Sequence, residues 1–217
     1  MDGTLTRTNR LIYDSFNHIA EKYRGRRYTD AEISTMFGPP EEEALRAIVP
    51  TEDMDEVMKD YLHFYRTQHA TLASLYPGME SLLRRLKETG MLVALFTGKG
   101  RQTTEISLNE CNIGKYFDVL VTGSDVDRYK PSGEGIRKIL QRFQLLPAEA
   151  LMVGDSIADV ISAREAGVQV ASVVWDSYGN AAVLELKPDF IFHSVEELSS
   201  FFLSTLTAGS PQSAALQ

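Results

Sequence analysis

The 217-residue sequence has one cysteine, Cys111, so it cannot close an internal disulfide, and it fits a reducing compartment. It has no apolar stretch long enough to span a bilayer. Its longest apolar runs, such as Met91 to Phe96, are far too short, and no signal-peptide pattern precedes them. Positive charge is in deficit, with 22 Lys and Arg against 30 Asp and Glu and a net charge of −8. Nucleic-acid backbones and anionic membranes are therefore poor partners. Internal repeats and low-complexity segments of any length are absent too. These absences leave the cytoplasm as the default location, and the 43% apolar and 24% charged residues can build one large or two modest globular domains. A monomer or homodimer is expected, although the sequence itself is silent on oligomeric state. A small anionic substrate would need local positive charge or a metal cation to overcome the overall negative field.

Two regions differ in pattern. Leu11, Ile12, Phe16, Ile19 and Ala20 recur at helical spacing from Asn9, a candidate N-cap, to about Tyr23. Asp30–Met36 and Glu41–Ile48 read as further helices, separated by the break Phe37-Gly38-Pro39-Pro40. The pattern restarts at Pro50-Thr51 and runs to about His69. Residues 10–75 thus predict a helical module with no strand. After Leu75-Tyr76-Pro77-Gly78 the pattern alternates. Predicted helices over Met79–Glu88, Gln102–Cys111, Gly133–Phe143, Ile157–Ala166 and Val195–Leu203 flank predicted strands over Met91–Phe96, Val119–Val121, Leu151–Val153, Val168–Val174 and Phe190–Phe192. That alternation predicts a Rossmann-like parallel α/β sheet covered on both faces, built from residues 1–9 and 76–205. Residues 206–217 are small and polar and read as a disordered tail.

Ligands of open parallel sheets bind where strands end, so the strand exits carry the candidates. Thr97-Gly98-Lys99 offers a hydroxyl and free amides to a phosphate or carboxylate oxygen, although Thr97 also reads as a plain N-cap. Lys130-Pro131 holds a lysine on restricted backbone, where it either neutralises an anion or sits solvated. Gly154-Asp155-Ser156-Ile157-Ala158-Asp159 sets two carboxylates four residues apart on one helix face. Such a pair repels unless a cation lies between, and magnesium is the natural occupant; a helix cap at Asp155 is the competing reading. At the other end of the chain, Asp2-Gly3-Thr4 forms a tight turn in which Thr4 can bond back into its own loop.

In this order, Asp2-Gly3-Thr4, Thr97-Gly98, Lys130-Pro131 and Gly154-Asp155-x-x-x-Asp159 resemble the haloacid dehalogenase superfamily, in the branch of phosphatases with an inserted all-helical cap. Tyr76-Pro77-Gly78 and Lys187-Pro188-Asp189 extend the likeness over nearly the whole chain. The resemblance implies hydrolysis of a small phosphorylated metabolite through an aspartyl-phosphate. In it, Asp2 serves as acid and base, Thr97 and Gly98 hold phosphate oxygens, and Lys130 balances charge. Magnesium is held by the Asp2 carbonyl and Asp155, with Asp159 in support.

The family pattern is Asp-x-Asp-Gly-Thr, and Met1 stands at x. The nucleophile and the central strand that carries it are therefore expected upstream of Met1, the start having been assigned at an internal methionine. Loss of those residues, or a non-enzyme that binds phosphate or metal, are the alternatives. A chain made as written is expected to be inactive and unstable. Within the branch, phosphoglycolate phosphatases, pyrophosphatases and phosphomutases remain open. The cap sets the substrate in this branch, and its candidates are Asn9, Arg10, Tyr13, the Gly38-Pro39-Pro40 loop and Arg46, the last for a second anionic group. His63 and His69 are read as solvated and Cys111 as a buried small hydrophobe. Gly98-Lys99-Gly100 is a weak dinucleotide-loop signal, because Thr103 stands where a third glycine belongs.

Overall fold

A computed structural model of the protein describes residues 1–50, 52–175 and 180–208. Thr51 and residues 209–217, most of the expected tail, lie outside them. The chain opens in a tight turn and enters β1 (Thr6–Arg7), followed by α1 (Asn9–Arg24), α2 (Asp30–Ser34), α3 (Glu41–Arg46) and α4 (Met54–Leu72). It returns through β2 (Ser74–Leu75), which pairs antiparallel with β1 in the register Thr6↔Leu75 and Arg7↔Ser74. This two-stranded ribbon is the way in and out of the helical unit. Strands of two residues are too short to show alternation, so the sequence gives no sign of them.

The helical unit has its own core. Leu11, Phe16 and Ile19 of α1 meet Leu45 of α3 and Val57, Tyr61 and Tyr65 of α4, all buried, with Phe16 edge-on to Tyr61 at 5.6 Å. Gly25 ends α1 in the left-handed region at φ 62°, where glycine has no Cβ to clash, and its amide donates to the Glu21 carbonyl at 3.0 Å. Thr29 and Glu32 cap α2 reciprocally. Thr8, not Asn9, stands at the start of α1, and its hydroxyl makes no cap bond because it is engaged elsewhere.

The second unit alternates α5 (Met79–Glu88), β3 (Ala94–Phe96), α6 (Arg101–Glu110), β4 (Val119–Val121), α7 (Glu134–Phe143), β5 (Leu151–Gly154), α8 (Ile157–Glu165), β6 (Gln169–Val173), α9 (Asn180–Glu185), β7 (Phe190–Phe192) and α10 (Val195–Ala208). β3 pairs parallel with β4, and β5–β6–β7 form a second parallel ladder. The sheet is covered on both faces. α7 and α8 meet Phe96, Val121 and Val170 on one side; α5 and α10 meet Leu95, Val173 and Phe192 on the other. Met1 is buried in the latter cluster, between residues of the two ladders. The apolar run from Met91 forms strand only from Ala94. Just before it, Val93 donates its amide to the Asp118 carboxylate at 2.8 Å, and that carboxylate is also held by Lys87. α9 has no counterpart in the sequence reading, and α10 runs five residues past its predicted end at Leu203. Among the described residues no helix is long and apolar enough to cross a membrane.

Candidate active site

The strand exits of the α/β unit open beneath α1 and the α2–α3 loop, enclosing a cavity of about 660 Å³. Asp2, Gly3, Thr97, Gly98, Lys99, Lys130, Asp155 and Asp159 all line it.

The N-terminal turn is built around Gly3 at φ 74°, whose amide donates to the Thr6 carbonyl at 2.9 Å. A Cβ at Gly3 would lie 2.2 Å from an Asp155 carboxylate oxygen, so only glycine lets the turn approach that carboxylate. Thr4 does not bond back into its own loop. Its hydroxyl donates to Asp155 Oδ1 at 2.6 Å, across 151 residues of sequence. Asp2 Oδ1 accepts from the Thr8 hydroxyl at 2.5 Å, and Asp2 Oδ2 lies 3.5 Å from Lys99 Nζ. Burial alone would raise the Asp2 pKa; the Lys99 charge, then the N-terminal ammonium, then the Thr8 bond outweigh it and hold the carboxyl below its ordinary value.

Thr97 is buried, and its Oγ1 accepts from the Lys99 amide at 3.3 Å. The residue at the N-cap of α6 is Gly100, so Thr97 folds the loop rather than capping the helix. Lys130 Nζ donates to Asp159 Oδ1 at 2.6 Å and to the Phe96 carbonyl at 3.0 Å. Ser156 caps α8, its hydroxyl accepting the Asp159 amide at 3.2 Å while Asp159 Oδ2 accepts the Ser156 amide and hydroxyl. Asp155 is therefore not the cap, and both Asp159 oxygens are engaged. Burial would raise the Asp159 pKa, but Lys130 holds it below the ordinary value. Asp155 goes the other way: burial, with the Asp159 charge second, pushes it up to about 6. Asp125, at the exit of β4, is turned to Arg101 and Thr122.

A divalent cation has partial support here. Among the described residues no three His, Cys, Asp or Glu side chains stand grouped to hold a metal. Asp155 is instead a single half-buried carboxylate whose raised pKa comes from burial first and the Asp159 charge second, and the N-terminal ammonium only partly offsets these. One carboxylate, a main-chain carbonyl and waters suit magnesium, which keeps much of its hydration.

Two residues of the site were not singled out from the sequence. Lys99 is buried between Asp2 and Glu41, 3.7 Å from Glu41 Oε1, with its ammonium 4.7 Å from the centre of the Tyr65 ring and no hydrogen-bond acceptor. Burial would strip its proton; Asp2 foremost, with Tyr65 and Glu41, holds it well above the ordinary lysine value. Glu41 starts α3 yet is buried. It accepts from the Gly100 amide at 2.7 Å and the Thr103 hydroxyl at 2.6 Å, tying the helical unit to the first turn of α6. Lys99 stands in the Thr97-Gly98-Lys99 exit and in the weak Gly98-Lys99-Gly100 pattern, but neither marks its side chain as part of the site; Glu41 showed no sign.

Of the helical-unit candidates, Asn9, Tyr13, Gly38 and Pro39 line the cavity. Arg10 and Arg46 do not: each pairs one turn along its own helix, with Asp14 at 2.7 Å and Glu42 at 3.0 Å, and stays exposed. His63 is exposed as expected, but His69 is buried, its Nε2 3.1 Å from the Ser107 hydroxyl beneath Tyr65. Cys111 is half-buried, and burial raises its thiol pKa.

Residues 1–173, which include every strand exit described above, match the family of haloacid dehalogenase-like hydrolases. The chain is 34% identical over 198 residues to pyrophosphatase PpaX of Bacillus cereus (strain G9842), covering 91% of each protein, and equally so to that of Bacillus thuringiensis (strain Al Hakam). Among solved structures it is similar to a haloacid dehalogenase-like hydrolase from Streptococcus pneumoniae, with a TM-score of 0.71, 26% identity and coverage of 93% and 95% of the two chains. A predicted phosphoglycolate phosphatase from Haemophilus somnus shares the fold with a TM-score of 0.81 at 22% identity, over 93% and 95%. With its motifs gathered at one cavity and its sequence matched over that span, the chain belongs to the haloacid dehalogenase-like hydrolase family.

Proposed function

We propose that the protein is a magnesium-dependent phosphatase acting on a small phosphomonoester. The observation that carries this reading is the convergence of Asp2, Thr97, Gly98, Lys130 and Asp155 on one cavity from four separate stretches of chain. The phosphoryl group lies against the Thr97 hydroxyl and the Gly98 amide. Lys130, held by Asp159, sets a fixed positive charge beside it. The family pattern places the nucleophile directly before Met1, and an aspartate there would attack phosphorus and displace the ester oxygen. Asp2, ionised in the free protein, takes up a proton with the substrate and gives it to that oxygen, then takes one from the water that cleaves the aspartyl-phosphate, releasing inorganic phosphate. Thr8 and Lys99 hold the Asp2 carboxyl in place for both transfers. Magnesium would be held by Asp155 and the Asp2 carbonyl, and it supplies neutralisation of charge on the phosphoryl oxygens. The helical unit serves as the cap over this site.

The likeness to PpaX supports a second reading, in which pyrophosphate is the substrate. Both are tested by phosphate release from a panel of phosphomonoesters and pyrophosphate, using the chain extended before Met1 by an apolar strand that ends in aspartate and the chain as given. Turnover by the first and not the second is expected. Equal turnover by both would overturn the covalent mechanism, and none by either would overturn the phosphatase reading.

A further inference from the structure

The floor and the roof of the cavity differ in chemistry. The floor holds the polar strand exits, whereas the roof, supplied by α1, the end of α2, the α2–α3 loop and α3, presents mainly apolar side chains, Ile12, Tyr13, Phe16, Met36, Phe37 and Ala44, with Asn9 and Ser34 as uncharged polar ones. Phe37 is 46% exposed and stacks on Tyr13, with ring planes 7° apart and centroids 6.0 Å apart. An exposed, oriented aromatic beside a cavity has unspent apolar surface to offer a ligand.

Positive charge is missing from this roof. The cationic side chains lining the cavity are Lys99 and Lys130. Lys130 is hydrogen-bonded to Asp159, and Lys99, though it makes no hydrogen bond, has its charge met by two carboxylates, Asp2 at 3.5 Å and Glu41 at 3.7 Å. Arg10 and Arg46, the nearby arginines of α1 and α3, are turned outward to Asp14 and Glu42. Asp176, Ser177, Tyr178, Gly179, Thr51 and the residues after Ala208 include no Lys or Arg, so none of them adds a cation. The lining does contain the carboxylates Asp2, Glu41, Asp155 and Asp159, and Glu41 belongs to the roof side. A leaving group with its own anion would lose hydration there and meet carboxylate without a compensating cation. An uncharged apolar group would instead be favoured by burial against the roof.

We infer that the leaving group of the substrate is uncharged and mainly apolar, an arylalkyl or branched alkyl alcohol, rather than a glycolate or a second phosphate. This rests on the phosphatase reading and narrows it. It also departs from the pyrophosphate chemistry in the name of the PpaX relatives.

Non-hydrolysable ligands test this on the chain as it exists, independently of any nucleophile. In magnesium, titration calorimetry with benzylphosphonate, methylphosphonate, phosphonoacetate and imidodiphosphate is expected to rank benzylphosphonate first, about tenfold or more above phosphonoacetate. Phe37→Ala should weaken benzylphosphonate about fivefold and leave methylphosphonate unchanged. Phe37→Arg, at a half-exposed position that does not threaten the fold, should reverse the order and favour phosphonoacetate. Tighter binding of phosphonoacetate or imidodiphosphate to the unmodified chain, or equal binding of benzyl- and methylphosphonate, overturns the inference and leaves the phosphatase reading standing. If none of the four binds, and inorganic phosphate does not either, the phosphatase reading falls.

Discussion

The two units of this molecule use charge in opposite ways. In the α/β unit the charged groups at strand exits are buried or half-buried and held by fixed partners: Lys130 with Asp159, Asp2 with Lys99, Asp155 with the Thr4 hydroxyl. In the helical unit most charges lie on the outside and pair within the unit, along one helix as in Arg10–Asp14 and Arg46–Glu42 or between segments as in Arg24–Glu52, leaving apolar side chains toward the cavity. Buried, mutually constrained charges make a site that can do chemistry, because their geometry is fixed and their electrostatics are strong. An apolar roof can select a substrate but cannot act on it. Glu41 is the exception, the one charged residue of the helical unit buried at the boundary between the two.

Removing one of these charges from the α/β unit should therefore have the largest effect. Asp155→Asn, in a chain that carries the upstream aspartate, is expected to reduce turnover by about three orders of magnitude or more. It should also abolish any rise in Tm on adding magnesium. The fold should survive, since Asp155 is a strained carboxylate, with a pKa pushed up to about 6, rather than a structural anchor. A variant that still turns over and still responds to magnesium would break the contrast between the units.

Breaking the boundary contact comes next. Glu41→Ala leaves the Gly100 amide and the Thr103 hydroxyl without their acceptor and Lys99 with one counter-charge fewer. A loss of about 3 kcal/mol is expected, read from urea unfolding. Faster hydrogen exchange in α3 and in the first turn of α6, with the β5–β6–β7 ladder unchanged, would locate the loss at the junction between the units. Uniform exchange across the chain would mean that Glu41 supports the whole fold instead.

A smaller, pH-dependent effect follows from Asp155. Its native pKa of about 6 lies above the ordinary value of 3.8, so between those pH values the native state retains a proton that the unfolded chain has lost. Without magnesium, stability is thus expected to fall as pH rises through that window. Asp155→Asn should flatten this part of the profile, and magnesium should stabilise the protein more strongly above pH 6 than below it. Tm measured across pH with and without the metal checks the sign.

The contrast also explains how much could be read from the sequence. Strand exits are legible because each carries a short motif with a backbone reason behind it: Gly3 at a positive φ against Asp155, Gly154 against the Asp159 carboxyl. Those positions were found, although their partners were not. Thr4 bonds across the molecule rather than within its loop, and Asp159 is taken up by Lys130 and Ser156. Glu41 opens a helix with three consecutive glutamates, and nothing in that run marks the first as buried against the first turn of α6. His69 sits late in an amphipathic helix, where burial depends on α6 packing beneath it, a contact 38 residues away in sequence. The ribbon β1–β2 and the helix α9 likewise depend on tertiary pairing rather than local pattern.

The smallest expected effect is the sharpest on the helical unit. Arg10 was a sequence candidate for facing the substrate and Arg46 for holding a second anion, and each instead pairs one turn along its own helix at an exposed surface. Exposed pairs of this spacing contribute below about 0.5 kcal/mol, so Arg10→Ala and Arg46→Ala should each leave Tm nearly unchanged. They should also leave the affinity for benzylphosphonate and phosphonoacetate unchanged within about twofold, because neither guanidinium lines the cavity. A selective drop in phosphonoacetate binding in either variant would mean that the arginine swings inward over the ligand. Substrate selection would then rest on a mobile charge of the helical unit rather than on its apolar roof.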